Sequence, residues 1–284
     1  MAKPEFHKEQ VLHDIYSGKT TPEKLPKSVY KATAKHLNEG IKKGYSRQLV
    51  GAAFDSVDVD MVEALRANIY MFSAAKTFQE TSEIFEFLVD KDGRVLSFSE
   101  FKKLADATFD KYNKDWLEAE YNTTISASRN AAKWVDIEEN KRERPYLRYS
   151  AVGDAHTCDI CKPLDGITLR VEDPFWRRNG IPQHFNCECV LQQLDESDIE
   201  TGPRNSVSHT LNKKRIPLST PDYVEKQEAK SQLHKNKSFN YNSGIDKVIF
   251  KDTGKNKHPY FDVPLKYREF AKNNFGLKIP ERDN

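Results

Sequence analysis

The sequence predicts an α+β protein. A mainly helical N-terminal region is followed by a small β-rich, metal-clipped lobe and a basic, partly irregular C-terminal tail. Three observations carry this. Apolar residues recur at helical spacing through the first 140 positions, the period drops toward two from Tyr146 onward, and all four cysteines (Cys158, Cys161, Cys187 and Cys189) fall between positions 158 and 189. The expected units are a helical body over 1–140, a Cys/His lobe over 141–200 and a basic extension over 201–284.

Composition limits the classes open to the chain. Its 284 residues suffice for one large domain or two ordinary ones. With 31% charged residues it is polar, yet 11% aromatics are enough to build a core, which argues against a disordered chain. Apolar runs fall far short of the ~20 residues that span a bilayer, and Met1-Ala2-Lys3-Pro4-Glu5 has no apolar stretch of signal-peptide type. The expectation is a soluble protein made in the cytoplasm, with no membrane partner. Charge is uneven: residues 1–200 carry 28 Lys/Arg against 34 Asp/Glu, a net of −6, whereas 201–284 carry 17 against 9, a net of +8. Such a tail suits an anionic partner, DNA or an acidic protein face; a tail that is merely solvated is the plain alternative.

Residues 4–17 read as a short helix on Val11, Leu12, Ile15 and Tyr16, stopped by Gly18. Thr21 before Pro22 has the form of a helix start, and Pro26 opens a longer helix to about Tyr45 through Val29, Thr33, His36, Leu37 and Ile41. His36 on that stripe is expected in the core. After a polar connector at 46–60, one helix is expected over about 60–76 and another over 77–89. Ser97 and Glu100 have the spacing of a capping box and open a helix bearing Phe101, Leu104 and Phe109. A break near Asn113 separates it from the strongest helix, 114–140, where Ser126, Ala127, Ala131 and Ala132 allow close packing. Trp116 and Trp134 are expected as core anchors.

Strands are expected at Tyr146–Val152, around Ile167, Leu169 and Val171, and at Cys189–Leu191. Thr201-Gly202-Pro203 marks a boundary. Beyond it a charged helix is expected over about 223–235, a short strand near Asp246–Phe250 and a last helix over 264–274.

The chemistry is concentrated in one spacing: Cys158-x2-Cys161, a gap of 22 residues, then His184-x2-Cys187-x-Cys189. A C-x2-C turn can place two thiolates on one ion and a second clip can supply the rest. Five soft donors exceed the four that a tetrahedral zinc takes. Cys158, Cys161, His184 and Cys187 are the expected set, with Cys189 as spare or substitute for His184, and iron remains open on spacing alone. A full set of four leaves no position for water, so a structural zinc is the default. The competing readings are free buried thiols and disulfides; the latter strain when formed locally in C-x2-C and C-x-C pairs.

Three stretches then occur in order: W-L-E-A-E-Y-N-T at Trp116–Thr123; Y-L-R-Y-S-A-V-G-D-A-H-T-C-D-I-C-K-P-L-D-G at Tyr146–Gly166; and P-F-W at 174–176 followed by P-Q-H-F-N-C-E-C at 182–189. Together they resemble the phage Mu F-like head morphogenesis family, the minor head proteins of tailed phages, well over about 110–195 and more weakly over 10–110. The resemblance implies a structural protein of the procapsid or virion, made in the host cytoplasm and placed near the portal. Its implied partners are portal, capsid or scaffold proteins, and it would assist head assembly or DNA packaging. It implies no catalytic residue. Phe185 stands where the family usually has a proline and Glu188 where it often has an arginine, which weakens any direct contact of this clip with phosphates.

Other classes leave different signatures. A metal-dependent nuclease needs a general base beside an ion that steadies phosphate charge; Asp154, His156 and His184 are the candidates near the clip. An effector or toxin domain in the tail would draw on Lys255, Lys257, His258 and Tyr260. A DNA-binding zinc module would use Arg177 and Arg178 with Trp176 beside them, although six acids nearby balance them.

Overall fold

In the computed structural model, residues 4–45, 56–153, 157–200 and 215–275 are described. The helices are α1 (Lys8–Tyr16), α2 (Lys27–Tyr45), α3 (Val57–Phe85), α4 (Phe98–Asp110), α5 (Leu117–Asn140), α6 (Phe175–Arg178), α7 (Pro221–Gln232), α8 (Ser243–Asp246) and α9 (Arg268–Phe275). The strands are β1 (Tyr146–Ser150), β2 (Thr168–Arg170) and β3 (Val190–Leu194). They form one antiparallel sheet in the order β2-β1-β3, with Leu147 opposite Leu169 and Gln193, and Tyr149 opposite Leu191. The expected mixture of a helical N-terminal region and a small sheet is therefore what the chain forms.

The helices form where caps and periodicity place them. Ser97 accepts from the Glu100 backbone while the Glu100 carboxylate reaches back to the Ser97 N–H, the reciprocal box that fixes the start of α4. Between α4 and α5 the chain does not break: Lys111–Trp116 is a π-helix, so α4 runs into α5 through one widened turn. That turn buries Tyr112 and Asn113 and leaves Trp116 40% exposed, correcting the expectation of a core anchor there; Trp134 is buried as expected. The two helices expected over 60–89 are one helix, α3, followed by a 3-10 turn at Glu86–Leu88. Thr21–Lys24 forms a tight bridged turn in place of a helix start. His36 is half-buried, its ring stacked on Tyr121 at 4.4 Å.

Small residues set the closest approach in the body. A Cβ on Gly44 would lie 2.5 Å from the carbonyl oxygen of Ile125, so α2 meets α5 almost backbone to backbone. The main core joins α1 to α5, through Leu12, Leu37, Leu65, Phe72, Phe101 and Ala131, to Ile249, Phe250 and Phe261 of the tail. A second core lies beneath the sheet, where Leu147, Tyr149, Ile167 and Leu191 meet Trp176 and the C-terminal half of α5 at Trp134 and Ile137.

The tail differs from the solvated arm that its charge suggested. Residues 237–263 contribute buried Phe239, Tyr241, Ile249, Phe250, Tyr260 and Phe261. The expected strand at 246–250 is absent; α8 ends at Asp246 and the chain then runs past α3. There Asn68 accepts from the N–H groups of Ile249 and Phe250 and donates to the Phe250 carbonyl, a side-chain substitute for a strand partner.

Candidate metal centre

The Cys158–Cys161 turn closes on itself: the N–H groups of Cys161 and Lys162 both donate to the Cys158 carbonyl, at 3.1 and 3.0 Å. This curls the two sulfurs toward one point. The second clip is shaped by Asn186, whose φ of 59° reverses the chain between His184 and Cys187; asparagine tolerates this left-handed region better than most residues. α5 buttresses the reversal. Ser126 donates to the Cys187 carbonyl at 2.8 Å, and Asn122 donates to the Asn186 side-chain oxygen at 3.1 Å.

The fold brings all five predicted donors together, in two overlapping triads. Cys158, Cys161 and His184 form one, Cys161, Cys187 and Cys189 the other, with the ligand atoms of each within 4.8 Å of one another. His184 Nε2 lies 3.1 Å from Cys158 Sγ, and Cys161 Sγ lies 4.0 Å from Cys187 Sγ. None of the four cysteines is bonded to another. His184 Nδ1 is 2.7 Å from the Phe185 carbonyl. A carbonyl only accepts, so Nδ1 carries a hydrogen and Nε2 is the nitrogen turned to the sulfurs, the arrangement of a metal-binding imidazole.

Electrostatics follow from crowding soft acids. Burial alone would lower the His184 pKa, but its hydrogen bond to Cys187 and the charges of Cys187 and Cys158 outweigh this and push it up to about 9. Cys187 is held well below the ordinary thiol value, chiefly by hydrogen bonds from Cys161 and Cys189. Cys161 is pushed up by the same contacts, and Cys189 is pushed up to about 12. A soft divalent cation bound here would displace the protons that these donors carry. The donor types and spacing fit such an ion.

Neighbours that sequence reasoning missed complete the site. Tyr149, read only as a strand residue, points its hydroxyl at Cys161 Sγ at 3.5 Å; the two-residue alternation that puts it on the buried face with Leu147 was the available signal. Ser126, read as a small packing residue, is the donor to the Cys187 carbonyl. A cavity of about 310 Å³ reaches the cluster, lined by Val152, Thr157, Asn186 and Glu188 beside the donors.

The remaining candidates are dispersed. Asp154 and His156 lie outside the described residues. Among the described residues no carboxylate joins either triad. Arg177 is paired with Asp246 and Arg178 with Glu228, both at 2.9 Å, and Trp176 is fully buried with its indole N–H on the Arg170 carbonyl. The two arginines tie the loop to the tail, and the buried Trp176 ring presents no stacking surface for a base. In the tail, His258 is buried and its pKa drops to about 3 through desolvation and the nearby Lys76 cation; Tyr260 donates to Glu120, and Lys257 pairs with Asp262. No helix among the described residues is long and apolar enough to cross a membrane.

A family model described as Phage Mu protein F like protein matches residues 89–192, a span that contains all five donors and bears out the resemblance read from the motifs. The Mu-like prophage FluMu F protein of Haemophilus influenzae is 33% identical over 72 residues, which are 25% of this chain and 17% of that protein. The chain therefore aligns with about a sixth of that relative's length. No solved structure matches significantly.

Proposed function

We propose that the protein is a minor structural component of a tailed-phage head, located near the portal and acting in head assembly or DNA packaging through protein contacts. The observation that carries this reading is the family match over 89–192, which spans the capping box of α4, the π-turn, α5 and the whole Cys/His clip. A helical body joined to a lobe held by a metal would suit docking onto other head proteins. Arg177 and Arg178, in the loop between the clips, are ion-paired with Asp246 and Glu228 of the same chain.

The cluster is proposed to hold one zinc through four of its five donors, with Cys158, Cys161 and His184 supplying one side and Cys187 or Cys189 completing the set. When bound, the metal supplies crosslinking of two loop segments more than twenty residues apart in sequence; the chain orients the imidazole through the Phe185 carbonyl and the second clip through Ser126. Zinc analysis of the purified chain should give about one ion per molecule. Mass spectrometry of density-purified particles from the encoding phage or prophage should find the protein with the head. Its absence from particles and procapsids alike would refute the head assignment, and a metal-free protein with four titratable thiols would refute the zinc.

A further inference from the structure

The loop that carries the second half of the Cys/His cluster is also the surface on which the C-terminal segment sits. Three consecutive stretches of its backbone face donors from the tail. The Trp176 carbonyl accepts from Asn242 Nδ2 at 3.1 Å and the Arg178 carbonyl from the buried Lys235 Nζ at 2.9 Å, while the Ile181 carbonyl lies 3.2 Å from Ser243 Oγ. Side chains add to this: Arg178 and Asn179 both bind Glu228, and the Phe185 ring meets Phe239 edge-on at 5.0 Å. At Gly180 the backbones are so close that a Cβ would fall 2.5 Å from the Asn242 Cα. The opposite side of the same tail segment is pinned to α5, where Ser243 Oγ donates to the Ala127 carbonyl and Asn130 Nδ2 donates to Asn242 and Ser243. His184 and Cys187 form the end of this loop, and Cys187 is itself tied to α5 through Ser126.

We infer that the metal cluster is a lock on the C-terminal segment: metal at the cluster fixes loop 175–187 in the shape that residues 235–261 dock against, and loss of metal releases that segment from α5 and α3. The inference rests on the metal reading proposed above. Physically, the loop contains no regular structure beyond one helical turn at Phe175–Arg178; buried Phe175, Trp176 and Ile181 anchor its first part in the second core, and its end at His184 and Cys187 belongs to the cluster. Its carbonyls meet the tail's donors in buried surroundings, where a displaced partner leaves Lys235, Asn242 and Ser243 desolvated and unpaired. Release would then propagate to Ile249 and Phe250, which continue the same strap over α3. Linkage makes the effect reciprocal: whatever the metal adds to docking, docking adds to metal affinity.

The test uses the full chain with zinc as the probe. Hydrogen exchange of residues 235–261 is followed in the zinc-loaded protein and after chelation, and zinc affinity is measured by competition with a chromophoric chelator for wild type and Asn242→Ala. The expected results are a large, selective loss of protection in 235–261 on chelation, with α2 and α4 unchanged, and zinc binding about tenfold weaker in the variant. Zinc that binds while tail protection is the same with and without it overturns the lock and leaves the metal reading standing. A chain that binds no zinc overturns both. The wild-type comparison involves no substitution, so a poorly folding variant does not blunt it.

Discussion

Glu80 is a buried carboxylate whose ionisation the fold opposes. It sits on α3 fully inside the body, bonded through one oxygen to Asn113 of the π-turn, while its other oxygen has no hydrogen-bond partner. Burial, offset only in part by Lys76 and Asn113, raises its pKa from 4.5 to about 8. The sign of the linkage follows. Between pH 4.5 and 8 the unfolded chain has lost this proton and the folded chain has kept it, so the folded state binds more protons and stability falls as pH rises through that window. Glu80→Gln keeps the hydrogen bond without the ionisation. Urea titrations from pH 5 to 8 should show a declining midpoint in the wild type and a flatter one in the variant; parallel pH profiles would show that Glu80 is ionised in the fold. Lys76 and Glu120 beside it form the buried ion pair of the body, with Tyr260 as a further donor to Glu120.

Elements were legible where one physical signal governed them. The capping box at Ser97, the small-residue face of α5 and the alternation of Ile167, Leu169 and Val171 each gave a start, a contact or a strand. Ser97→Ala should therefore cost ~1 kcal/mol in urea denaturation, the usual worth of a lost N-cap; no change would mean that packing alone sets the start of α4. Legibility failed where polar side chains were buried. Lys76, Thr77 and Glu80 interrupt the apolar stripe of α3 and made one helix read as two, yet all three face inward because Glu120, the Ser73 carbonyl and Asn113 receive them. The donors of the cluster were visible because a C-x2-C and H-x2-C-x-C spacing leaves few alternatives. The contacts of Tyr149 and Ser126 with the cluster were not, since nothing in the spacing ties these residues to the cysteines. The tail misled for a similar reason: its lysines set the composition, whereas its aromatics, scattered without period, set the packing.

At the scale of the whole molecule, body, lobe and tail share interfaces that no single segment could form. Trp134 and Ile137 carry α5 from the helical core into the lobe, and the tail spans both cores. Asn68 is the narrowest of these joints, one amide serving two N–H groups and a carbonyl 181 and 182 residues away. Asn68→Ala strands those buried groups, and a loss on the order of 3 kcal/mol is expected, each unsatisfied group costing ~1–3 kcal/mol. Calorimetry of the variant would check it; a change below about 0.5 kcal/mol, the scatter of neutral surface substitutions, would show that water or a shift of the strap replaces the amide.

The same span governs how the protein comes into being on the ribosome. Phe72, fully buried, stacks on Phe250 at 3.8 Å. At synthesis rates of ~5–20 residues per second, the centre of α3 waits on the order of ten seconds or more for that partner to be made. During this interval an apolar stripe of the nascent chain lies bare, and α1, α2, α4 and α5 can gather around it without sealing it. Translation speed and chaperone occupancy between codons 72 and 250 thus become part of what determines the yield of folded protein.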